Sequence, residues 1–103
     1  MANAVVHVVH PTQRVDGSAA TLADIQSWRV AMKARAATNY SPLGGARLPS
    51  DTTANVQNLT TGTYDFQVIW TDKDGQDSEA APAEYTVGPP ARLAPGAVSV
   101  VAA

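Results

Sequence analysis

The chain has no cysteine, one phenylalanine and two histidines among its 103 residues. Without cysteine it can build neither a disulfide framework nor a thiolate metal site. Charge is scarce too: Asp, Glu, Lys and Arg make up 16%, against a usual ~25%. A surface this neutral points to cover by a partner. The formal net charge of −2 argues against general nucleic-acid binding, which needs a clustered basic surface. No apolar run approaches the ~18 residues of a membrane-spanning helix, so no membrane partner is expected. The start, Met1-Ala-Asn-Ala-Val-Val-His7, lacks the basic and long apolar stretches of a secretory signal. The expectation is synthesis in the cytoplasm without signal-directed export.

Catalytic equipment is missing as well. No nucleophile, base and orienting group can be assembled, and no serine sits in a strand–turn–helix elbow. Gly44-Gly45 lacks the lysine and helix of a phosphate loop. Paired carboxylates occur only in the polar stretch 72–79. The chain is therefore read as a non-enzyme without cofactors. His7 and His10 stand three apart in an extended segment, which places them on opposite faces and prevents joint chelation. Asp72, Asp74 and Asp77 surround Gly75 in the manner of a calcium loop, but the EF-hand spacing fails at Gln76 and Asp77. A polar hairpin turn accounts for them better, and no metal site is expected.

What the chain does contain is period-two alternation. Residues 4–9 are dense in β-branched side chains and end at His10-Pro11, since proline cannot donate to a ladder. Residues 11–24 read as loop, with one helical turn at Thr21 to Asp24. Residues 25–35 are open to helix through their alanines, yet Trp28, Val30 and Met32 alternate with Arg29, Ala31 and Lys33, which favours a strand. A Gly-, Pro- and Ser-rich loop spans 38–51, with a short strand expected near Tyr40. Further strands are expected at 52–59, 64–71 and 84–87, with turns at 60–62 and 72–78. In the clearest of them Tyr64, Phe66, Val68 and Trp70 face inward, and Asp65, Gln67, Ile69 and Thr71 outward. Short strands joined by polar turns imply an all-β antiparallel sandwich or barrel.

The stretch Leu59-Thr-Thr-Gly-Thr-Tyr64-Asp-Phe66-Gln-Val68-Ile-Trp70-Thr-Asp-Lys-Asp-Gly75, continuing through Asp77-Ser78-Glu79, resembles the last three strands of fibronectin type III domains. Residues 10–17 and 25–30 resemble the second and third strands of bacterial and phage members. Trp28 stands where those usually have tyrosine, and no tryptophan occurs near Val8, where one is often found. The resemblance covers about residues 4–88 and implies an Ig-like β-sandwich. It makes Tyr64 the tyrosine-corner residue, its hydroxyl bonded to backbone a few residues upstream, with Phe66, Val68, Trp70 and Trp28 as structural core. It also implies that residues 1–88 lack a first strand, whereas 89–103 form a Pro-rich arm ending in an extra strand.

That strand, within Pro95-Gly-Ala97-Val98-Ser99-Val100-Val101-Ala-Ala103, is expected to complete a sheet, in its own domain or a neighbour's. Pro95, Ala97, Val98, Val100 and Val101 are thus candidate partner-binding residues. Weaker candidates are Val5 and Val9, two valines on the outward face of the first strand, and the outward stripe Arg29, Lys33 and Arg35. The stripe is either a docking surface for an acidic partner or a solvated face paired with acids such as Asp65. A lone fibronectin-like domain with an arm and without an export signal resembles structural proteins of phage virions. The implied role is capsid decoration or cement, with the chain's own subunits or a major capsid protein as partners and a homo-oligomer as product. The alternative is a carbohydrate- or protein-binding spacer module of a secreted bacterial protein, for which only Tyr40 and Tyr85 remain as exposed aromatics. An engineered scaffold of this fold is disfavoured by the irregular loops.

Overall fold

The computed structural model describes residues 2–89 and 92–103. It is all-β, with six strands: β1 (Ala2–His7), β2 (Ile25–Ala34), β3 (Ser41–Pro42), β4 (Thr53–Leu59), β5 (Gly62–Asp72) and β6 (Ala81–Val87). A single 3-10 turn, Leu22–Asp24, precedes β2, and the Thr21 N–H donates to Asp24 Oδ2 at 2.8 Å to start it. The strands form two antiparallel sheets, β1-β4 and β3-β2-β5-β6, consistent with a β-sandwich. Met1 lies outside the described residues.

The alternation in β2 and β5 decides the core. Trp28 pairs with Trp70, Val30 with Val68 and Met32 with Phe66, so both strands turn the same parity inward. Trp28, Val30, Phe66 and Val68 are buried together with Val8, Ala54, Val56 and Leu59 of the opposing sheet, and Tyr64 and Trp70 pack half-buried against them. Trp28 is wholly buried, and its indole N–H is shared between the carbonyls of Leu48 (3.1 Å) and Asp51 (2.9 Å). Ile25 is buried as well, although it is odd in parity with Trp28. A β-bulge explains this: Ile25 pairs with Asp72 and Ser27 with Thr71, so Gln26 is an extra residue that resets the inward face.

Polar side chains hold the ends. The Tyr64 hydroxyl donates to the Thr60 carbonyl at 3.0 Å, clamping the turn between β4 and β5 in the way a tyrosine corner does. A second bulge lies where Ala2 meets Leu59 and Ala4 meets Val56. There Asn58 takes a positive φ of 62°, tolerable for asparagine, and its N–H is accepted by Asn3 Oδ1 at 3.2 Å. The turn after β5 is built on Asp72, whose Oδ1 accepts the N–H groups of Asp74 and Gln76, both at 2.9 Å.

The C-terminal arm stands without a sheet beside it in the isolated chain. Residues 92–103 hold no strand, and Leu93, Val98, Val100 and Val101 are 84–96% exposed. Alternating valines supply β-propensity, but a strand is stabilised by hydrogen bonds and packing from a neighbour. Here no neighbour lies beside it, and the molecule extends 83 Å in its longest direction against 27 and 24 Å in the others. Pro90 and Ala91, part of the expected Pro-rich linker, lie outside the described residues. The other differences are at boundaries: β1 begins two residues early, and β6 begins at Ala81 and includes Pro82, which an edge strand admits.

Candidate functional site

The sheets are unequal, two strands against four, so part of the larger sheet has nothing opposite it. Two indole contacts locate that part. Trp28 of β2 donates to Asp51, which leads into β4. Trp70 of β5 donates to His10 Nδ1 at 3.0 Å, and His10 closely follows β1. Hence β4 lies over β2 and β1 over β5. The 43–51 segment runs along the β3 side of β2, where Trp28 and Arg47 exchange backbone hydrogen bonds (3.1 and 2.7 Å), and Leu43 packs on the core. Among the described residues no strand occupies the position beyond β1, which faces β6.

The consequence shows on β6. Ala83 pairs with Phe66 and Tyr85 with Tyr64, which puts both on the core-facing side. Both are nonetheless exposed, Tyr85 at 43%. An inward-facing tyrosine left in solvent marks a missing layer.

The backbone of β1 matches this vacancy. Val8 N–H donates to Thr52 O at 2.9 Å, so even-numbered residues of this segment direct their N–H and C=O toward β4. By the two-residue period, Asn3, Val5, His7 and Val9 direct theirs to the side where β1 has no strand partner. Such an edge is a template for a further strand. The side chains of Val5 and Val9 also stand out to solvent, at 48% and 88% exposure, as expected of an outward face. The structure thus brings Val5 and Val9 to one edge. Pro95, Ala97, Val98, Val100 and Val101 lie apart from it in the exposed arm.

The basic stripe is occupied by acids of the same sheet and of the turn after β5. Arg29 meets Asp77 at 2.8 Å, Lys33 and Arg35 meet Asp65 at 3.3 and 2.6 Å, and Arg35 also reaches Glu84. The Arg29–Asp77 and Arg35–Glu84 pairs are largely exposed and worth little individually, whereas Lys33–Asp65 is mostly covered. They do, however, neutralise the face that an acidic partner would need. Asp77, one of the carboxylates of the calcium-like pattern, is thereby engaged with Arg29, and Asp72 binds turn amides and Arg14. Among the described residues no group of three His, Asp or Glu is placed to hold a metal.

Asp77 carries a pH dependence whose sign follows from its contacts. Hydrogen bonds from Arg29 first and Thr71 second (2.7 Å) hold its carboxyl down at about 2. A carboxyl lowered on folding stabilises the fold above the ordinary Asp range near 4, and that contribution is lost as pH falls toward 2. Asp77→Asn should therefore flatten melting temperature against pH between about 5 and 2, slightly and more visibly at low salt. An unchanged slope would show that the pair is not formed in solution.

Sequence reasoning missed two features. His10 is a bridge: Nδ1 accepts from Trp70, which fixes the other nitrogen as the donor to Pro49 O at 2.7 Å. Its partners are 60 and 39 residues away, and no local pattern announces them. At that same end a cleft of about 210 Å³ opens between Pro11, Arg14 and Val15 on one side and Trp70 and Asp72 on the other. Its acids are already engaged, Asp72 by Arg14 and Asp24 by the Thr21 amide. Tyr40 and Tyr85 form no platform: Tyr40 lies under Lys33 on the outer face of the four-stranded sheet, whereas Tyr85 faces inward. No family model matches the chain, and no curated protein matches it either.

Proposed function

We propose that this chain is a non-enzymatic structural protein of a bacteriophage virion, a capsid decoration or cement protein that uses its C-terminal arm for subunit or capsid contacts. The observation that carries the reading is an apolar arm held wholly in solvent beside a sandwich whose core is made without it. Exposed valines and leucine on a chain so poor in charge are costly unless something covers them. The setting in a virion comes from the resemblance to phage fibronectin-like domains, to which the Tyr64 clamp lends support. The spacer-module alternative needs a shared aromatic surface for sugar stacking, and Tyr40 and Tyr85 lie on opposite faces of their sheet.

The test is made on particles. Mass spectrometry of purified virions whose genome encodes the chain should find it in amounts comparable to a capsid subunit. A version ending at Gly88 should be lost from the particles. Absence of the full chain from virions would overturn the assignment.

A further inference from the structure

We propose that the vacant position beside β1 is a strand-acceptor site, and that its occupant is the segment 97–101 of a second copy of this chain. The inference rests on the assembly role above and names the surface and the partner. Three observations meet at the site. β1 has a row of backbone groups, at Val5, His7 and their neighbours of the same parity, directed away from its single partner. The floor of the position is formed by Ala83 and Tyr85, which face inward yet lie in solvent. And the chain carries an unpaired segment of matching length and chemistry, in which Val98 and Val100 alternate with Ala97, Ser99 and Val101.

Period two fixes the parity of docking. With Val98 and Val100 turned inward they cover Ala83 and Tyr85, and Val101 then stands outward near Val5. The opposite parity would turn Ser99 inward with Ala97 and Val101 and leave Val98 and Val100 in water, so a slip by one residue is disfavoured.

Direction decides between the arm of the same chain and that of another. Val87 pairs with Gly62 and Ala2 with Leu59, and Leu59 and Gly62 flank one short turn. β6 therefore ends where β1 begins. A strand entering the position directly from β6 would run parallel to β1, whereas every strand pairing among the described residues is antiparallel. An antiparallel arrangement within one chain must first travel the ~20 Å length of β1 and then reverse. The residues from Gly88 to Pro95 reach about 25 Å at ~3.1 Å each, which leaves little for crossing between sheets and turning. A second copy delivers its arm antiparallel with no reversal. In the isolated chain the arm lies in solvent and does not fold back.

The full chain and Val98→Asp/Val100→Asp are compared at about 100 µM. Both positions are exposed in the isolated chain, so the substitutions leave the sandwich core intact. The full chain should scatter as at least twice 10.7 kDa, and the variant as a monomer with an unchanged far-ultraviolet spectrum. The amides of Val5 and His7 should exchange at least tenfold faster in the variant. A monomeric full chain whose Val5 and His7 amides are protected assigns the site to its own arm and overturns the proposal. So does an oligomer that survives both substitutions, or a monomer without protection. The virion reading fails separately: a chain that exchanges arms in solution but is absent from particles sinks only that reading.

Discussion

Trp28→Ala should lower stability by about 3–5 kcal/mol, the usual cost of emptying a tryptophan site in a core. The indole has no exposed surface, and it is the largest fully buried side chain. It also ties β2 to the 43–51 segment, because its N–H binds the carbonyls of Leu48 and Asp51 while its backbone pairs with Arg47. Against a total of about 5–15 kcal/mol for a domain of this size, the loss corresponds to a melting point more than about 12 °C lower. Trp28→Phe separates the contributions. It keeps much of the apolar volume but leaves both carbonyls without this donor, at about 1–3 kcal/mol. Thermal and urea unfolding measure both. A cost under about 1 kcal/mol for Trp28→Ala would contradict the described core.

His10→Leu should cost about 1–3 kcal/mol although the residue is only half-buried, because two partners are orphaned together. The Trp70 N–H loses its acceptor and Pro49 its donor, with no side-chain shape gained in exchange. His10→Gln, which offers both an acceptor and a donor, should recover part of the loss. The chain has two tryptophans, so two indole N–H resonances report separately. In His10→Leu that of Trp70 should move and that of Trp28 should stay. A stationary Trp70 signal would mean that the bridge is not formed in solution.

How far these features could be read in the sequence differs by element. The β2 segment was legible because alternation at Trp28, Val30 and Met32 outweighed the helical preference of its alanines. Ile25 was not, because a bulge at Gln26 depends on pairing with Asp72 and Thr71 and leaves no local mark. The charge pairing of Arg35 and Lys33 with Asp65 could be anticipated from outward parity on two adjacent strands. The acceptor edge was half legible. Outward valines at 5 and 9 were visible, but the vacancy opposite Tyr85 exists only once two sheets of unequal width are stacked. The arm was legible as a segment with strand preference at Val98 and Val100, but which sheet satisfies that preference leaves no mark in the sequence.

The self-pairing of charge at the surface bears on how quickly this molecule finds anything. Arg14, Arg29, Lys33 and Arg35 each sit 2.6–3.3 Å from an acid of the same chain. Pairs that close present dipoles to the solvent, and within a Debye length of about 8–10 Å their field has largely vanished. Encounters across this surface should therefore proceed with little electrostatic guidance, in the range of about 10⁵–10⁶ M⁻¹s⁻¹. Capture then depends on local concentration and on how long each contact lasts.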